Sequence, residues 1–295
     1  MKKVFFAILV FALLAFAQDA SAIEERSDKV DLLSKKHDRI VCRVQFYKTI
    51  LGSAEENLNL SNPELVADLG AASQRLRSAA QAGDRAEFNS AMNELAKLSK
   101  DVVVDYNHAK GRLKGKSEVR KMLKEKFLAG KDDMNACLRL ANINVAKARV
   151  NHVDKWVNHT MNISEKMKAK GINVTDLESI TSQAREKSEK LSDAIHSGNS
   201  EKVDEVEREV RQSHLHLWAR FHLSKLTLLL DRMDEVAAEK GYQSEVDSIK
   251  KLLEDTAALV NEGEPYSEGD FEQVYTNIKD ASKQLRELYN NIKGG

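Results

Sequence analysis

The chain has 295 residues, and its 46 basic and 46 acidic side chains cancel to a formal net charge of zero. A global electrostatic footprint for nucleic acid is therefore absent. With only 13 glycines and 2 prolines against 42% hydrophobic and 31% charged residues, the composition favours long helices with regular apolar stripes over disorder.

Lys2 and Lys3 precede an apolar run from Val4 to Ala17, and the stretch closes on Ala20-Ser21-Ala22. A charged start, a short apolar centre and a small-residue end define a secretory leader. The reading is a signal peptide over 1–22, with the exported chain beginning near Ile23. The competing readings are an uncleaved membrane anchor and a buried N-terminal helix. The apolar run is short for a bilayer span, and no later stretch has 18 continuous apolar residues. No membrane span is expected after leader cleavage.

The first long helix is expected over about 27–59, with Val30, Leu33, His37, Ile40, Val44, Tyr47, Leu51, Ala54 and Leu58 on one face. Asn62 can cap the next helix, and Pro63 suits its first turn. That helix carries Leu65, Leu69, Ala72, Leu76 and Ala79, and ends at Gly83-Asp84. A third helix follows, with Phe88, Ala91, Leu95, Leu98, Val102 and Tyr106 inward.

Next comes a basic connector. Lys110, Arg112, Lys114, Lys116, Arg120, Lys121, Lys124 and Lys126 stand against Glu118 and Glu125. Such a run can contact an anionic lipid, an envelope polymer or an acidic protein face. The competing reading is a solvated connector. Few aromatic residues interleave it, so base stacking is not expected. A short helix should end at Gly130.

The second unit is expected to repeat the scheme. A helix over about 132–169 carries Cys137, Leu138, Ala141, Val145, Ala148, Trp156, Ile163 and Met167. The following helix has Leu177, Ile180, Ala184, Leu191 and Ile195, and ends at Ser197-Gly198-Asn199. A helix over about 200–240 then carries Val203, Val206, Val210, Leu217, Phe221, Leu226, Leu230 and Met233. Val246, Ile249, Leu253, Thr256 and Val260 mark the next. Asp270 can cap the last, whose stripe is Phe271, Val274, Ile278, Ala281, Leu285, Leu288 and Ile292.

Comparable punctuation follows the long helices: NPELVADLGAASQRL, GINVTDLESITSQA and GYQSEVDSIKKLL. The fold class is thus all-α: an elongated array of antiparallel three-helix bundles with long shared helices and a degenerate internal repeat. Its helix layout resembles the spectrin-repeat arrangement, and that likeness carries no function. The expected organisation is a leader at 1–22, a first bundle at 23–110, the connector at 111–130, a second bundle at 131–225 and a third unit at 226–295.

Cys42 and Cys137 are the only cysteines. Export permits a disulfide, which would staple the first helical unit to the second. The competing reading is two separately buried thiols. Their spacing does not support a cysteine metal site.

His152 and His159 share one helical face, while His214, Trp218 and His222 recur at steps of four. Packing of these helices would bring the histidines together, either as metal or cofactor ligands or as ordinary boundary residues. No short cluster supplies three ligands, so no metal and no cofactor is expected. Three sequons place candidate glycosylation at Asn158, Asn162 and Asn173. No nucleophile elbow, phosphate loop or di-iron pattern occurs, and no catalytic residue is assigned.

The reading is an exported, non-catalytic helical scaffold or protein-binding protein, secreted or held in the periplasm or cell envelope of a prokaryote. Its expected partner is a protein or envelope component, with the basic connector as first contact. The alternative is an extracytoplasmic small-ligand or metal-binding helical protein using a pocket near His152 and His214.

Overall fold

A computed structural model describes residues 33–52, 62–111, 117–260 and 268–294. The leader at 1–22, the connector residues Arg112, Lys114 and Lys116, and most of the turn before Asp270 lie outside the described residues. The described residues are helical with short turns and include no strand. The helices are α1 (33–52), α2 (Pro63–Ala82), α3 (Arg85–Gly111), α4 (Ser117–Lys168), α5 (Thr175–His196), α6 (Ser200–Glu239), α7 (Gln243–Leu259) and α8 (Glu268–Gly294). No helix among them is long and apolar enough to cross a membrane.

Side-chain caps set several of these boundaries. Leu65 N–H donates to Asn62 Oδ1 at 3.2 Å, and Pro63 occupies the first turn of α2. Gly83 closes that helix at φ 69°, a left-handed conformation that a Cβ would strain. Glu87 N–H donates to Asp84 Oδ1 at 3.0 Å and opens α3. Asn199 Oδ1 accepts from both Glu201 N–H and Lys202 N–H at the start of α6. Asn199→Ala should therefore lower thermal stability by about 1 kcal/mol, read by calorimetry. Asp270 is the third residue of α8 and lies inside the helix, not at its cap.

The residues divide into two compact units, one reaching Ala148 and the other running from Arg149 to the C-terminus. In the first, α1, α2 and α3 share a core. Leu69, Ala72 and Leu76 of α2 and Ala91 and Val102 of α3 have no exposed surface. Leu33, Val44, Ile50 and Leu51 of α1 close over them. Burying each large aliphatic side chain contributes roughly 1.5–3 kcal/mol.

Gly130 does not end a helix; α4 runs through it. A mid-helix glycine costs only about 1 kcal/mol relative to alanine. Here it permits a close approach: a Cβ would sit 3.4 Å from the Phe46 ring. The separate helices expected on either side of Gly130 are therefore one.

In the second unit, α5 runs antiparallel to the C-terminal part of α4. Thr181 Oγ1 donates to Thr160 Oγ1 at 3.3 Å, and Ser188 Oγ donates to Asp154 at 2.6 Å. α6 packs on α5, and also on α7 and α8. Trp218 meets Phe271 and Tyr275 near the start of α8, while Lys240 Nζ donates to Ile292 O near its end. α8 is therefore parallel to α6.

Candidate functional site

Two places bring together the side chains singled out by the sequence. The first is a cleft in the N-terminal unit, bounded by α1, α3 and α4. Its volume is about 330 Å³. Phe46 and Ile50, Val102 and Tyr106, and Leu123 and Phe127 form its walls. Tyr106 and Phe127 stack at 5.4 Å, and Phe46 meets Phe127 edge-on at 5.5 Å. Burial raises the Tyr106 phenol above its ordinary pKa, so it stays protonated.

Arg120 and Lys124 also line this cleft. Lys126, from the same basic run, lines a small adjoining recess with Phe46, Tyr106 and Phe127. Arg120, Lys121, Lys124 and Lys126 are all exposed on α4. Lys110 belongs to α3, but its side chain lies outside the described set, as do Arg112, Lys114 and Lys116. Among the described residues, no carboxylate lines the cleft.

Cys42 and Cys137 form a disulfide, with their Cα atoms 5.7 Å apart. Both belong to the N-terminal unit. The bridge thus ties α1 to α4 within that unit and does not staple one unit to another. Cys137 sits on the exposed side of α4, not on an inward stripe, while Cys42 is buried. Phe46, Gly130 and Phe127 pack beside the same seam, so the bridge helps hold the cleft walls together.

The second place is the α4–α6 seam of the C-terminal unit. His152 and His214 lie 5.1 Å apart, ring centre to ring centre. Trp156 packs edge-on against His214 and Phe221. Arg149 faces Glu207 at 3.3 Å, with both side chains buried. Further along, His222 stacks near Trp218 and feels the charges of Lys225 and His159.

Desolvation by burial, followed by repulsion from His152 and Arg149, pushes the His214 pKa well below 6.5. Burial, then Lys225 and His159, does the same to His222. Burial also brings the Lys225 ammonium down to about 8. This is a neutral-imidazole seam at neutral pH. Among the described residues, no group of three or more His, Cys, Asp or Glu is arranged to hold a metal.

The seam makes stability pH-dependent. Unfolded, both histidines take up protons near 6.5; folded, they resist to lower pH. Stability is therefore fully present above about 6.5 and falls on acidification. Each histidine adds a slope of about 1.4 kcal/mol per pH unit until its folded pKa is reached. Denaturant unfolding at pH 7.5 and 5.0 should show the C-terminal unit weakening, and His214→Leu should flatten the slope.

The three sequons differ in presentation. Asn158 and Asn162 are exposed on α4, but the hydroxyl residues of their motifs, Thr160 and Ser164, are buried. Asn173 and Thr175 are both exposed before α5, where Thr175 Oγ1 donates to Asn173 Oδ1 at 2.7 Å. Only the Asn173 motif presents both groups on the folded surface.

No protein-family model matches the chain, and no curated protein or solved structure matches it either.

Proposed function

We propose that this is an exported, non-catalytic helical binding and scaffold protein of the cell envelope, which holds an anionic partner through the start of α4. One observation carries the reading: Arg120 and Lys124, from the most basic stretch of the chain, line an apolar aromatic cleft with no carboxylate among its described lining residues. Export rests on the leader at 1–22, and the disulfide is consistent with an oxidising compartment.

The finer architecture belongs to the same proposal. α4, α5 and α6, and then α6, α7 and α8, are read as successive three-helix bundles that share α6. The similar turns after the long helices are read as traces of a degenerate repeat. An elongated array predicts an extended profile in small-angle scattering, and a globular radius contradicts it.

The functional test is cell fractionation of wild type beside an R120Q/K121Q/K124Q variant. The proposal expects mature protein beginning near Ile23 in both, with retention in the envelope reduced several-fold in the variant. Equal retention rejects the contact. An intact leader on cytoplasmic protein rejects export. The small-ligand alternative is favoured by the cleft's enclosure between three helices, and the histidine seam does not supply it with a ligand set.

A further inference from the structure

We infer that the cleft between α1, α3 and α4 is a seat for an amphipathic carboxylate, a free molecule with a flexible apolar body and one anionic end. This deepens the reading of α4 as an anion contact and rests on it. A volume of about 330 Å³ falls at the small end of ligand pockets, which span roughly 300–1,000 Å³. That suits a small molecule's body better than the face of a partner protein.

The chemistry of the lining sets the ligand class. Aromatic and aliphatic side chains wall the interior, and among the described residues the charged ones lining it are the cations Arg120 and Lys124. Neither cation makes an ion pair among the described residues. An adjoining recess of about 520 Å³ shares Tyr47 and Val103 with the cleft. Its charged lining is again purely cationic, Arg43 and Lys100. A flexible apolar chain can therefore continue past Tyr47 without meeting a carboxylate. Val103 and Val104 are 48% and 49% exposed, leaving apolar surface along that path.

The helix itself adds to the anion preference. Arg120 closes the first turn of α4, whose N-terminus carries the positive end of the helix dipole, and Lys124 lies one turn further on. Cations there oppose the dipole, and a carboxylate bound between them relieves both.

The test uses the purified full chain and sodium dodecanoate below its micelle concentration, followed by calorimetry. Saturable one-to-one binding is expected, with dodecanol at least tenfold weaker. R120Q/K124Q should weaken dodecanoate at least tenfold and leave dodecanol unchanged. Val103→Trp, at a half-exposed position on the shared wall, should weaken both ligands, with the thermal melt reporting that the fold is retained. Absence of saturable binding, equal affinity for dodecanol, or an unchanged R120Q/K124Q affinity overturns the seat. Flotation with phosphatidylglycerol vesicles separates the two readings. Arg120-dependent flotation without dodecanoate binding overturns the carboxylate seat and leaves the envelope contact standing. Loss of both rejects both.

Discussion

Replacing Glu207 with alanine lowers the unfolding free energy of the C-terminal unit by about 3–5 kcal/mol. Glu207 Oε1 accepts from Arg149 Nε and Nη2 at 3.4 and 3.3 Å. The two side chains are 10% and 7% exposed, so water cannot replace the lost counter-charge. The guanidinium also lies beside His214, whose own pKa it already depresses. Removing the carboxylate therefore takes a hydrogen-bonded counter-charge from a buried guanidinium beside a seam of imidazoles. The double substitution Arg149→Met with Glu207→Leu should recover most of the loss, since well-packed apolar replacements of buried pairs are often neutral or stabilising. Urea unfolding of the single and double variants measures both values. A loss below about 1 kcal/mol for Glu207→Ala would show that the pair is effectively solvated.

Reduction of the Cys42–Cys137 bridge lowers the stability of the N-terminal unit by about 4–5 kcal/mol in the chain-entropy model. The bridge closes a separation of 95 residues and so restricts the unfolded chain strongly. It also fixes α1 against α4, where Gly130 of α4 faces Phe46 and Thr49 of α1. Unfolding with and without dithiothreitol, compared with a Cys42→Ala/Cys137→Ala variant, reads the effect. The C-terminal unit, from Arg149 onward, should keep its midpoint. A uniform shift of both units would mean that they unfold as one.

Helix stripes with clean three–four spacing were legible in the sequence. Leu65, Leu69, Ala72, Leu76 and Ala79 all face the core of α2 as their period requires. Val274, Ile278, Ala281, Leu285, Leu288 and Ile292 do so in α8. The same reasoning misjudged helices contacted from two sides. In α1 it marked Val44 and Leu51 but missed Ile50 and Cys42, which are also buried. Packing of α4 on a second face of α1 covers them, and no local period announces a second neighbour.

Polar burial was harder still. The buried line of α4 runs through Arg149, Val153, Val157, Thr160, Ser164 and Met167. The expected apolar stripe shares Met167 with this line but otherwise runs through Trp156 and Ile163, which sit at its edge. Thr160 is buried because Thr181 and the Val157 carbonyl satisfy it, and Arg149 because Glu207 does. These partners lie on other helices or depend on the helix being formed.

The candidate site was half legible. The charge run from Lys110 to Lys126 was visible, and the meeting of His152 with His214 was foreseen as a packing consequence. The aromatic walls were not, because Phe46, Tyr106 and Phe127 come from three helices and only Tyr106 falls on an expected inward stripe. Reading Gly130 as a close-approach position would have linked α1 to α4 and placed Phe127 near Phe46.

The most direct measurement is the envelope-bound fraction of the mature chain in wild type and in R120Q/K121Q/K124Q, quantified at equal expression. The account predicts a several-fold fall in the variant, with the same N-terminus near Ile23 and the same melting temperature. An unchanged bound fraction would contradict it.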